Sequence, residues 1–377
     1  RTRACAAAGA SAAPQPPRGG RRVSHRHARW TFSAIAFVVV AAILGATVDH
    51  YWHLVLRRVD TRFGYQPNPE GVREFLAELK EPTFAQAGAD AMRQAAGRDT
   101  FLYRATAIAH QKRYGTPRPV WNQGNHGSCV SFAFGLGVTT AESVDYVAGK
   151  LKEPPLNCAT EPLYAGSRTL ARLPPQERNL GGDGSYGGAA ARWITGRCKD
   201  PSVGGILYRT QYGPFDLREY SIPRSQDWGR NGVPAELAKL AAKVRAKCVQ
   251  VNTWQELCAA IERGSPVAIC SQVGYGPIPR VRDEHGALTR GTPWSHAMVA
   301  TSVRHRENGS PFDAALIENS WTPSWVSGPR WPPDQPDGSF WARRQDVEAA
   351  LAQGDSWAIG TSYEWRDLSN ANWGLAL

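Results

Sequence analysis

A cysteine, a histidine and an asparagine, far apart in the chain, are of the types that make a nucleophile, its acid–base and the group that orients it. Cys129 ends the run QGNHGSC, where a Gly-rich turn meets an apolar stretch whose pattern predicts a helix over 129–148. A thiol in the first turn of a helix sits at the positive end of the macrodipole, which favours thiolate. Gln123, upstream on the turn, can aim its side-chain NH₂ at an oxyanion formed beside the sulfur. Alone, such a cysteine reads better as a small buried core residue. His296, however, opens the strand pattern HAMVATSV and Asn319 closes FDAALIEN, with the turn signal Asn308–Gly309 between them. A hairpin centred there returns Asn319 to the end at which His296 begins. The amide carbonyl can then accept the imidazole N–H, fix its tautomer and leave the other nitrogen for a thiol, which is the logic of a catalytic triad.

The elements that must position these residues change character along the chain. Helix patterns occur at 188–196, at 234–246 with Pro at its opening, and at 253–264. The last has Thr253 as N-cap, Glu256 completing a capping box and Gly264 closing it. Strand patterns follow at 266–273, 296–303, 312–319 and 338–343. Helices first and strands later predict an α+β fold with two unlike halves. Upstream, helical candidates lie at 69–80 and near 87–96, and the chain from there to Cys129 reads as turn-rich.

Of the net charge of +11, most belongs to residues 1–62, which hold ten Arg and only two acids, Asp49 and Asp60. The body is therefore nearly neutral and lacks a basic–aromatic nucleic-acid motif, so a nucleic-acid partner is excluded on charge distribution. Residues 31–48, TFSAIAFVVVAAILGATV, are uncharged and long enough to cross a bilayer at ~1.5 Å per residue. Arg18, Arg21, Arg22, Arg26 and Arg29 precede the span, which places the N-terminus inside and the body outside the cytoplasm. A cleaved signal peptide is the rival, but the apolar core is long and no A-x-A site follows it. Either way the body is exported. Seven Cys, at 5, 129, 158, 198, 248, 258 and 270, include no CxxC pair and no zinc spacing, so neither a metal nor a cofactor is expected. With Cys129 as a free thiol, at most two disulfides remain on the exported side, and their pairing stays open.

QGNHGSCVSFAF resembles the active-site segment of papain-like cysteine peptidases, typically Q-G-x-C-G-S-C-W-A-F. SHAMVATSV is similar to that family's His strand, IENSW to its Asn-Ser-Trp segment, and SYGGAAARW to its C-N-G-G stretch, in the same chain order. The resemblance implies a two-subdomain fold, helical first and β-rich second, with the cleft between them. It implies Cys129 as nucleophile, His296 as acid–base, Asn319 as its orienter and Gln123 in the oxyanion hole. Trp321 would shield the His–Asn bond, and Gly187 and Gly188 would line the substrate cleft. Peptide or protein would be the substrate. There are departures: Val130 replaces the usual Trp, and His126 and Ser185 replace two cysteines that commonly form a disulfide. NSWTPSWVSGPRWPP also replaces Asn-Ser-Trp-Gly. The whole chain, from GYQPNPEG to PDGSFW, also resembles bacterial members of this superfamily.

These readings divide the chain into a basic cytoplasmic tail at 1–30, a transmembrane helix at 31–48 and a juxtamembrane segment at 49–118. A papain-like domain follows at 119–362, helical over 119–232 and β-rich over 233–362, with a tail at 363–377. Two rival functions remain: a catalytically silent module binding peptide or cell-envelope material, and an amide hydrolase or acyl transferase acting on cell-wall peptides. Among lesser candidates, His126 and His285 read as loop residues. Asp183 and Glu161 are isolated acids, and Trp321, Trp325, Trp331 and Trp341 read as packing.

Overall fold

A computed structural model describes residues 62–169 and 183–361. The predicted membrane span at 31–48 and the two tails lie outside these residues. Among the described residues no helix is long and apolar enough to cross a membrane.

The chain first lays down α1 (Pro69–Ala77), started by the Asn68 side chain accepting from the Gly71 N–H. α2 (Phe84–Ala87) follows with a Thr83–Gln86 capping box, then α3 (Ala89–Gln94), β1 (Thr100–Phe101) and α4 (Leu102–Tyr114). The stretch expected to be turn-rich thus holds a helix. Its sequence, LYRATAIAHQKRY, lacks a side-chain cap and is Ala-rich, so local signals are weak. It forms because Leu102, Ala105 and Ala109 are buried, with α4 lying against the long central helix α5 (Cys129–Val147). Residues 62–118 also join the sheet, where Thr100 pairs with Val303. The described residues on either side of 119 pack together in one compact unit.

After α5 come α6 (Thr160–Thr169), α7 (Gly187–Ile194), the short ribbon β2 (Gln211–Tyr212) with β3 (Phe215–Asp216), α8 (Ile222–Asn231) and α9 (Ala235–Ala241). The β-rich half holds β4 (Lys247–Gln250), α10 (Trp254–Glu262), β5 (Val267–Ser271), β6 (His296–Arg304) and β7 (Ala314–Glu318). β8 (Ser339–Arg343), α11 (Arg344–Leu351) and β9 (Ser356–Gly360) complete it. The antiparallel sheet runs β4-β9-β5-β6-β7-β8, with β1 added to β6.

The α+β reading holds, and the Thr253–Glu256 capping box forms as its sequence predicts. Two apolar clusters flank the sheet. One gathers Phe134, Trp193 and Trp357 on the side of α5 and α7; the other gathers Trp254, Leu257, Phe340 and Leu351 beneath α10 and α11. α5 crosses against β5, β6 and β9, so the helix carrying Cys129 and the strand carrying His296 are neighbours.

Candidate active site

Cys129 is the first residue of α5. Ser128, its N-cap, makes no side-chain cap and instead bonds the Tyr220 hydroxyl at 3.2 Å. The free N–H groups of that first turn are thus available: those of Cys129 and Val130 reach the sulfur. So does the N–H of Ala297, next to His296, which brings the thiol against the start of β6.

The predicted hairpin sits where the sequence put it, turning through Arg306–Asn308, with Val299 opposite Glu318 and Ala300 opposite Ile317. That register returns Asn319 beside His296, and His296 Nε2 lies 2.8 Å from Asn319 Oδ1. An amide oxygen only accepts, so Nε2 carries the proton and Nδ1 is the nitrogen left for acid–base work. The Ser320 N–H also donates to Asn319 Oδ1, at 2.8 Å, and holds the amide in place. Trp321 stacks on the imidazole with ring centres 4.6 Å apart, and Trp294 closes another side at 5.6 Å.

Gln123 is fixed through its carbonyl oxygen, which accepts from Ser320 Oγ at 2.7 Å. Its Nε2 donates to the His126 carbonyl at 2.7 Å and to the Arg62 carbonyl at 2.9 Å. A peptide carbonyl therefore occupies the position at which Gln123 can stabilise an oxyanion.

That carbonyl belongs to a strap, residues 62–66, laid across the site. The Phe63 ring packs against His296, Trp294 and Trp321, and the Arg62 guanidinium lies 4.3 Å over Trp321. The Gly64 N–H reaches the Cys129 sulfur. Ser185 N donates to the Gly64 carbonyl and Gln66 N donates to the Ser185 carbonyl, both at 2.9 Å. Gly64 is needed here, because a Cβ on it would lie 1.8 Å from the Gly127 carbonyl oxygen. Under the strap Cys129, His296 and Gln123 are 0% exposed and Asn319 is 3% exposed. Burial pushes the Cys129 thiol up to about 11, against the N–H groups that favour thiolate. The macrodipole expectation is outweighed in this covered state.

Gly187 and Gly188 open α7, but Ser185, two residues earlier, presents backbone to the strap. The glycine N–H groups instead bond the Asp355 carboxylate, at 2.7 and 2.8 Å. Gly187 permits that approach, since a Cβ there would sit 2.5 Å from Asp355 Oδ1. Trp357 Nε1 donates at 2.8 Å and the Tyr65 hydroxyl also bonds this carboxylate. Burial nevertheless pushes Asp355 up to about 7.

His126 is a correction. Far from being a surface loop residue, it is fully buried, with Nδ1 at 2.7 Å from Asp183 Oδ2 and Nε2 at 3.0 Å from Ser225 Oγ. Burial opposes ionisation of Asp183, but the His126 ring and the Gly127 N–H outweigh it and hold the carboxyl below its usual range. Glu161 is likewise paired, with Arg209 at 2.6 Å and Arg224 at 2.5 Å. No cluster of metal-ligating side chains occurs among the described residues. Cys158, Cys198, Cys248, Cys258 and Cys270 are buried free thiols, so the possible disulfides do not form among them. Sequence reasoning passed over Asp355 and Trp294, whose partners are remote in the chain, and noted Ser185 only as a replaced cysteine.

Neither a family model nor a curated protein matches the sequence. Among solved structures, the chain is similar to xylellain, a cysteine protease from Xylella fastidiosa, at 15% identity and a TM-score of 0.47, over 80% of this chain and 97% of that one. It is also similar to the proform of the ragweed pollen cysteine protease Amb a 11, at 17% identity and a TM-score of 0.47, over 81% and 76% of the two chains. A digestive procathepsin L 3 of Tenebrio molitor larval midgut matches at 15% identity and a TM-score of 0.41, over 79% and 83%.

Proposed function

We propose that this chain is a papain-like cysteine peptidase that hydrolyses peptide bonds through Cys129, His296 and Asn319. The observation that carries this is the strap itself. A stretch of polypeptide lies in the site with a carbonyl on Gln123 and an N–H on the sulfur, so the groups present are those that hold a peptide.

In the reaction, His296 Nδ1 takes the thiol proton and the sulfur attacks a substrate carbonyl carbon. Gln123 Nε2 and the Cys129 N–H stabilise the oxyanion. The imidazolium protonates the leaving amine, and water activated by His296 then cleaves the thioester, returning the thiol. Asn319 keeps the imidazole in one tautomer, and Trp321 keeps water from their bond. Turnover requires residues 62–66 to leave the cleft. The arginine-flanked apolar stretch 31–48 supports a bilayer-anchored enzyme with its catalytic body outside a bacterial cytoplasm, and the partner is then a peptide or protein.

The test uses the full chain with Phe63→Ala and Tyr65→Ala to loosen the strap. Peptide hydrolysis, together with labelling of Cys129 by a thiol-directed epoxide that His296→Ala abolishes, is the expected result. Labelling of Cys129 with no hydrolysis of any unstructured protein or peptide would overturn the peptidase reading.

A further inference from the structure

The sheet ends at β4, on the side away from β8. The main-chain bonds of this edge strand alternate in direction. Val251 N donates to the Ser356 carbonyl at 2.8 Å, toward β9, whereas Ala246 N and Gln250 N donate outward, to the Ile194 and Pro82 carbonyls at 3.0 and 2.8 Å. Cys248 lies midway between those two and so turns its own N–H and C=O outward. There it lines a cavity of about 340 Å³, walled also by Glu81 and Thr195, the chain neighbours of Pro82 and Ile194. The cavity stands apart from the cleft. α7 and β9 each run from one to the other, with Gly187 and Asp355 at the cleft and Thr195 and Thr361 at the cavity. Lys80, Arg197, Arg245 and Lys247 face it, against one lining acid, Glu81. We propose that this cavity is a binding site for an acidic peptide, which pairs its main chain with Cys248 and sets its carboxylates against these four cations. The proposal does not depend on the peptidase reading.

Among the described residues no main-chain group answers Cys248 on its outward side. An extended peptide supplies an acceptor and a donor at once, the pairing by which a strand is added to a sheet edge. A bare anion supplies only the acceptor. The charges then select which peptide. Arg197 Nη1 and Arg245 Nη2 each spend a donor on a neutral carbonyl, of Glu78 at 3.2 Å and of Pro201 at 2.7 Å, so both guanidinium charges stay at the rim. Burial lowers the pKa of the Lys247 ammonium, a cost that a carboxylate beside it offsets. Lysine at an open edge also deters pairing with other strands, so the residues that turn a neutral peptide away admit an acidic one. Leu79, Ala87 and Val249 add apolar wall for the side chains between the acids. The volume falls within the ~300–1,000 Å³ of small-ligand sites.

The experiment uses the full chain carrying Cys129→Ala, so that no probe is cleaved, and a blocked fluorescent peptide of alternating Glu and Val. Anisotropy gives its Kd at low and at high salt. The matching Gln and Val peptide is expected to bind roughly 10- to 100-fold more weakly, the worth of charge-assisted hydrogen bonds, and salt to weaken the Glu peptide. Arg197→Gln combined with Arg245→Gln should weaken binding roughly tenfold at an unchanged melting temperature, since both side chains are exposed. Lys80→Gln, also at an exposed position, is the second variant and should weaken it about threefold. N-methylation of the glutamates removes the peptide donors and should cost roughly 2- to 10-fold. Equal binding of the Glu and Gln peptides, or a Kd unchanged by both sets of substitutions, overturns the site. Equal binding of the N-methylated peptide overturns the pairing with Cys248. Inorganic phosphate that displaces the peptide at the peptide's own concentration overturns the peptide as ligand in favour of a bare anion.

Discussion

Residues 62–66 and residues 100–114 belong to one stretch of chain ahead of Cys129, yet they are held in different ways. The second is structural: Thr100 and Phe101 extend the sheet at β6, and Leu102, Ala105 and Ala109 are sealed against the body. The first is held by what the cleft offers a peptide: a carbonyl on Gln123, two backbone bonds to Ser185, and one phenol on Asp355. Contacts of that kind are exchangeable with a ligand, whereas burial of α4 is part of the fold. Covering the proposed active site and building the domain are thus separable tasks within fewer than sixty residues.

The largest effect that sharpens this contrast lies in the site below the strap. In the chain loosened by Phe63→Ala and Tyr65→Ala, Cys129→Ala or His296→Ala should lower hydrolysis by ~10⁴-fold or more, with the melting temperature nearly unchanged. Leu102→Ala tests the structural region: it should cost about 2–5 kcal/mol in denaturant unfolding and leave the native-state alkylation of Cys129 as it was. Faster alkylation at unchanged stability would erase the distinction. Gly64→Ala is the converse. Its Cβ meets a backbone oxygen that cannot turn aside, so the strap should lift, raising Cys129 alkylation roughly 5- to 150-fold, the effect of about 1–3 kcal/mol of overpacking. Stability should change little.

The smallest effect is electrostatic. Burial raises the Asp355 carboxyl to about 7 in the fold, above its ordinary value, so the folded state holds the proton more tightly than the unfolded chain does. The stability this group contributes is full below about pH 4 and is lost as pH rises through about 7. Asp355→Asn should flatten that part of the melting-temperature profile, and an identical slope in the variant would show that another group sets it.

What could be read from the sequence followed the range of its signals. Asn308–Gly309 fixed a hairpin, and the hairpin fixed His296 beside Asn319, because a turn and two strand patterns are local. The start of α5 at Cys129 was readable for the same reason. Helix α4 was missed because an Ala-rich face needs a partner, and its partner is a helix beyond a loop. β4 and β9 are short and buried on both faces, which leaves no alternation to detect. Asp355 and His126 look like ordinary loop residues until chain segments more than fifty residues away arrive beside them.

The junction of His126 with Asp183 has a consequence for the environment in which this molecule can work. It ties the loop before Cys129 to the segment leading into α7, near where His126 and Ser185 replace a common pair of cysteines. A disulfide there would be exposed to the same reductants that keep a nucleophilic sulfur from oxidising. A hydrogen bond between the two side chains is indifferent to them. On the proposed function, the redox conditions that preserve a Cys129 nucleophile therefore leave the loop that carries it intact, and the two requirements no longer compete.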